Sequence, residues 1–164
     1  MAVEHLIGLG HQRIAFLAID DQRLTGYRQT LLEHDLPYDE TLVRYVMPTQ
    51  PAKSAYDFTQ EFISASVPPT AIFAANDESA IGAMAAIQDR GLSVPGDIAI
   101  ISIDNIEMSG MVRPALTTVN VPKQTIASHA IQFLITQRNF PERHPASMVL
   151  PIELIVRESC GANR

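Results

Sequence analysis

Three short apolar runs constrain this chain more than any other feature. Ile14-Ala15-Phe16-Leu17-Ala18-Ile19, Ala71-Ile72-Phe73-Ala74-Ala75 and Ile98-Ala99-Ile100-Ile101-Ser102-Ile103 are continuous rather than alternating. A strand with one wet face alternates in polarity. A continuous run rich in branched residues suits a strand covered on both faces, which is the setting of a parallel sheet. Between the runs lie helical segments. Ala80 to Arg90 places Ile81, Met84, Ala85 and Ile87 at helical spacing, with Asn76 ready to cap its start and Gly91 its end. Asp77 and Glu78 complement the helix dipole there. Leu24 to Glu33 and Ala52 to Ser64 read as further helices, and Val94-Pro95-Gly96-Asp97 as a turn. Pro122 opens a later helix carrying Ile126, Ala130, Phe133 and Leu134 on one face. Arg138 to Ser147, with Pro141 and Pro145, reads as a polar loop, and Met148 to Val156 as one or two closing strands. The pattern predicts a three-layer α/β/α sandwich on a mostly parallel sheet.

With 164 residues the chain has room for one complete core. Its apolar runs fall far short of the ~20 residues that cross a bilayer. No charged n-region with a cleavage site opens it, and the single Cys160 excludes an internal disulfide. A cytoplasmic protein is expected. Twelve basic residues against eighteen acidic ones give a net charge of -6, and Lys53 and Lys123 are the only lysines. Such a chain has no basic face with which to hold nucleic acid directly.

Each apolar run ends in an acidic or amide pair: Asp20-Asp21, Asn76-Asp77 and Asp104-Asn105. The strands of an open parallel sheet share one carboxyl edge, where ligands bind, so the three pairs are expected around one crevice, with Arg23 nearby. Two chemistries fit. Carboxylates, an amide and an arginine supply the directed donors and acceptors that sugar hydroxyls need. Alternatively, the carboxylates hold Mg²⁺ for phosphoryl transfer, although no lysine follows a strand to pair with the phosphate. Taken singly, each pair also reads as a plain helix cap or turn.

Other chemistry finds little support. His5, His11, His34, His129 and His144 lack metal-ligand spacing, and Gly8-Leu9-Gly10 precedes the first strand, where a phosphate loop cannot work. Ser79, Ser102 and Ser109 sit in no nucleophile elbow. No cofactor, metal site or catalytic residue is expected.

The ordered segments Pro69-Thr70-Ala71-Ile72-Phe73-Ala74-Ala75-Asn76-Asp77, Ala80-Ile81-Gly82-Ala83, Gly91-Leu92-Ser93-Val94-Pro95-Gly96-Asp97-Ile98, Asp104-Asn105-Ile106 and Pro114-Ala115-Leu116-Thr117-Thr118-Val119 resemble the effector-binding region of lactose-repressor-type transcriptional regulators. His5-Leu6-Ile7, Gly10-His11-Gln12-Arg13-Ile14, Arg23-Leu24-Thr25-Gly26-Tyr27-Arg28 and Val156-Arg157-Glu158-Ser159-Cys160 extend the resemblance over nearly the whole chain. It implies a type I periplasmic-binding-protein-like fold, in which two α/β subdomains close on a small effector such as a sugar or nucleoside. It further implies a repressor that dimerises and meets operator DNA through an N-terminal helix-turn-helix. By motif position, Arg23, Asn76 and Asp104 would bind the effector, with Gln50 lining the cleft where relatives often carry an aromatic. Ile81, Met84, Ala85, Met108, Met111 and Val112 would form the dimer face.

The chain departs from the family pattern in three respects. It carries no helix-turn-helix, it lacks most of the first subdomain, and the segment between Ile19 and Arg23 is short. The expected layout is therefore a truncated one. Residues 13–112 and 149–164 build the effector-binding subdomain, 1–12 are a remnant helix of the missing subdomain, and 113–148 hold a crossover and a helix that normally belongs there. A free-standing sugar-binding protein is the further alternative, disfavoured by the lack of an export signal.

Overall fold

The three apolar runs lie side by side at the centre of one sheet. The computed structural model describes residues 1–142 and 147–162, so His144 and Pro145 of the expected loop lie outside the described residues. In chain order the elements are α1 (Ala2–Gly8), β1 (Ile14–Ala18), α2 (Gln22–Glu33), β2 (Val43–Tyr45), α3 (Pro51–Ile63), β3 (Ala71–Ala74), α4 (Asp77–Asp89), β4 (Ala99–Asp104), α5 (Glu107–Met111), β5 (Thr117–Asn120), α6 (Lys123–Asn139) and β6 (Glu153–Ile155). The strand order is β2-β1-β3-β4-β5-β6. All neighbours pair in parallel except β6, which runs antiparallel to β5.

Every residue of β1 and β3 is buried, as a strand covered on both faces requires. Alternate side chains enter two cores. Ile14, Phe16, Ala18, Phe73 and Ile101 pack with Tyr27 and Leu31 of α2, and the Phe16 and Phe73 rings stack at 4.6 Å. Ala15, Leu17, Ile72, Ala74 and Ile100 pack with Ala55 and Phe62 of α3 and with Ala80, Ala83, Met84 and Ile87 of α4.

Two expectations bear on packing. The first helix, expected as a remnant of the missing subdomain, packs on this sheet. Ala2, Val3 and Leu6 form one apolar stripe on α1, and it joins the same core as Phe16 and Phe73, with Leu6 fully buried. The second concerns Met84, placed by sequence on a dimer face. It is 3% exposed and lies in the core between sheet and α3. The wide apolar arc of α4 has two partners inside this chain: the sheet on one side and α3 on the other. Gly82 marks that second contact, since a Cβ there would run into the backbone of Ala52.

Smaller differences concern boundaries. α4 begins at Asp77, directly after the expected Asn76 cap, and α6 runs to Asn139, into the segment read as loop. β2, β5 and α5 were not anticipated. No residue of α6 is buried.

Candidate functional site

The carboxyl ends of β1, β3 and β4 meet at one edge, as the parallel order dictates. Asp21 caps α2, accepting from the Arg23 backbone N–H at 2.9 Å. Its other carboxylate oxygen lies 3.2 Å from Nε of Arg23. The Arg23 guanidinium also donates through Nη1 to the carbonyl of Ala75, so it reaches from the end of β1 to the end of β3. Asn76 caps α4 by accepting from the Ser79 N–H at 2.8 Å. Among the described residues no partner engages its Nδ2.

Asp104 ends β4 in the left-handed region, at φ 121°, and Asn105 follows at φ 52°. Two consecutive non-glycine residues there are costly unless their surroundings hold them. The Asp104 carboxyl is half-buried and titrates above its ordinary range. Burial is the main cause and the charge of Asp77 the next, opposed by Arg23 and Lys123. Lys123, at the start of α6, donates to the Asp104 carbonyl.

The structure thus brings Arg23, Asn76 and Asp104 to one edge, with open hollows beside it. One, of about 430 Å³, is bordered by Ile19, Asp20, Tyr45, Val46 and Pro48. Another, of about 280 Å³, is bordered by Asn105, Asn120, Lys123 and the first turn of α6. Gln50 lies in the loop between the carboxyl end of β2 and α3, on the same edge of the parallel sheet, and borders a separate hollow with Met47, Lys53, Ser54, Asp57 and Phe58.

Asp77 does not face a crevice. It is fully buried, and its carboxylate accepts from Ser102 Oγ, from Thr118 Oγ1 at 2.6 Å and from the Ile106 N–H at 2.7 Å. Both oxygens are engaged by protein donors, so this carboxylate is a structural pin rather than a cation ligand. Among the described residues no three His, Cys, Asp or Glu side chains are grouped to hold a metal. On the expected dimer face, Met108 and Met111 are 51% and 57% exposed, Ala85 is exposed, and Ile81 and Val112 are partly buried.

Two further side chains belong to this edge. Against the expectation that no lysine follows a strand, Lys123 comes directly after β5, where Pro122 opens the helix that brings it to Asp104. Arg157 donates to Asn105 Oδ1 at 2.8 Å, to Ser109 Oγ at 3.1 Å and to the Leu116 carbonyl at 2.7 Å. A sequence separation of 52 residues hides that contact from any local pattern.

The profile of the periplasmic binding protein-like domain matches residues 3–160. The chain belongs to that family. Among curated relatives, the probable HTH-type transcriptional repressor ExuR of Bacillus subtilis is 34% identical over 96% of this chain and 49% of its own length. Among solved structures, a transcriptional regulator CelR–cellobiose complex superposes with a TM-score of 0.89 at 32% identity, over 96% of this chain and 50% of the other. A LacI family transcriptional regulator from Enterococcus faecium with bound ribose gives 0.86 at 29%, over 94% and 59%. The resemblance to lactose-repressor-type regulators and the periplasmic-binding-protein-like fold are both borne out. The chain spans about half the length of the curated relatives it matches. No helix among the described residues is long and apolar enough to cross a membrane.

Proposed function

We propose that this chain is the effector-sensing and dimerising portion of a lactose-repressor-type transcriptional regulator, and that it acts in the cytoplasm without catalysis. Its ligand is a polyhydroxylated small molecule of the sugar or nucleoside class. The observation that carries this reading is the convergence of Arg23, Asn76 and Asp104 on one sheet edge. Together they offer a fixed cation, an amide N–H donor without a partner among the described residues, and a carboxylate that accepts from two hydroxyls. Relatives solved with cellobiose and with ribose support the sugar class. Dimerisation uses the apolar surface of exposed Met108, Met111 and Ala85 with partly buried Ile81 and Val112 beside them. Operator DNA is met by a helix-turn-helix outside these residues, in keeping with the net charge of -6. The phosphoryl-transfer reading is less favoured, because the relatives are transcriptional regulators and one of its carboxylates, Asp77, is spent on Ser102, Thr118 and Ile106.

One wall of a cleft desolvates only part of a ligand, so affinity for this chain alone falls in the millimolar range. Amide chemical shifts detect such binding. Titration with pentoses, hexoses, cellobiose and nucleosides is expected to move Asn76, Asp104 and Arg23, and Asp104→Ala is expected to abolish the response. Silence across the panel, or shifts confined to other surfaces, overturns the assignment.

A further inference from the structure

The left-handed turn at Asp104-Asn105 aims the one carboxylate of the proposed site, and something must hold it there. Local sequence does not: neither residue is glycine, and α5 begins only two residues later. The holding groups come from further along the chain. Thr118 Oγ1 accepts from the Asn105 N–H at 3.2 Å, and Asn120 Oδ1 accepts from Asn105 Nδ2 at 3.1 Å. The remaining Asn105 atom, Oδ1, faces Arg157.

Among the described residues Arg157 has no carboxylate within ion-pair distance. Its partly buried guanidinium is spent entirely on neutral oxygens: Asn105 Oδ1, Ser109 Oγ and the Leu116 carbonyl. A cation held among neutral acceptors forgoes the stronger partner it would find in a carboxylate. The planar fork joins three separate pieces of backbone, namely the site turn, α5 and the approach to β5. The Arg157 N–H in turn donates to Thr117 Oγ1 at 2.9 Å, which fixes the base of the side chain to β5.

We propose that Arg157 is a positioning residue for the effector site. It locks Asn105 in the left-handed conformation and thereby orients the Asp104 carboxylate, while binding α5 to the same guanidinium. This rests on the function proposed above, but its test does not need a ligand. In the unmodified chain a strong intraresidue amide–Hα Overhauser effect marks Asn105 as left-handed. In Arg157→Gln that mark is expected to be lost and the Asp104 and Asn105 amides to shift, while amides of β1 and α3 stay in place. Arg157→Lys is expected to behave like Arg157→Gln, because one ammonium cannot reach all three acceptors. A merely structural arginine would lower the melting temperature of both variants and leave the turn signals of the folded protein unmoved, which overturns the proposal.

Asn105→Gly approaches the same contact from the other side. Glycine accepts φ 52° freely but removes Oδ1, so Asp104 is expected to shift, and adding Arg157→Gln is expected to cause no further change at Asp104. Should Arg157→Gln fail to fold, an unmoved Asp104 in Asn105→Gly overturns the proposal by itself. A final arm uses D-ribose and cellobiose. If the unmodified chain binds either one, Arg157→Gln weakens it at least tenfold. If it binds neither, the sugar assignment fails and the turn signals still decide the role of Arg157.

Discussion

β1 and β5 are strands of one sheet, yet what flanks them differs. All five residues of β1 are buried, with α1 and α2 over one face and α3 and α4 over the other. β5 is followed by α6, a seventeen-residue helix that buries no residue and exposes Ile126, Ile131, Leu134 and Ile135. Beyond it the short β6 is the antiparallel edge, with Ile152 half exposed beside it. Coverage separates the two regions: one end of the sheet has helices on both sides, and the other presents apolar side chains of α6 to solvent, as the surface of an association does.

The largest expected effect tests that contrast directly. Leu6→Ala removes a fully buried side chain from under α1 and is expected to cost about 2–5 kcal/mol, read by urea unfolding of the chain. Leu134→Ala, at 71% exposure on α6, is expected to stay within about 0.5 kcal/mol. Equal losses would show that α6 is packed in solution and would erase the difference between the two ends. A negligible loss at Leu6 would return α1 to the status of a remnant.

A pair of methionines sharpens the comparison at a smaller scale. Met84 and Met111 are both apolar residues on helices of the proposed dimer half, but one is core and the other surface. Met84→Glu is expected to unfold the chain, because an unpaired carboxylate between α4 and α3 loses its hydration without a partner. Met111→Glu is expected to leave the melting temperature nearly unchanged and to weaken self-association, followed by light scattering across a concentration series. A Met111 variant that stays as large as the unmodified chain would place the contact elsewhere. If the unmodified chain runs at 18.0 kDa at high micromolar concentration, the dimer proposal falls altogether.

The same contrast explains what could be read from sequence. β1, β3 and β4 were legible because burial on both faces leaves an unbroken apolar run. β2 is three residues whose burial falls away from Val43 to Tyr45, too short to show a period. β5 reads as polar, Thr117-Thr118-Val119-Asn120, and is nevertheless buried at its first three positions. Its two threonines are tolerated there because Asp77 accepts from Thr118 and the Arg157 N–H donates to Thr117. Those partners are 41 and 40 residues distant, so no local pattern announces them. Parallel topology gathers the strand-end pairs at one edge, and the resemblance singles out Asn76 and Asp104 among them. That Asp77 turns inward is not legible locally, because Ser102, Thr118 and Ile106 decide it. Met84 was misjudged because an apolar arc on a helix cannot say whether its partner is another chain or α3.

The smallest effect concerns the carboxylate at the open edge. Burial and the neighbouring Asp77 charge raise the pKa of Asp104, with Arg23 and Lys123 pulling the other way. The folded chain therefore keeps this proton at a pH where the unfolded chain has released it. The stability so gained is full at low pH and is lost as pH rises from the ordinary carboxyl range through the raised value. Above that window the ionised group is a standing cost to the fold, which hydroxyls of the proposed effector would offset by donating to it. Asp104→Asn removes the charge while keeping a side chain that tolerates φ 121°. At pH 7 its melting temperature is expected to exceed that of the unmodified chain by on the order of 2 °C, with the gap closing at low pH where both side chains are neutral. A lower melting temperature at pH 7 would mean that Arg23 and Lys123 outweigh burial, making the carboxylate a stabilising part of the edge and not a group poised for a ligand.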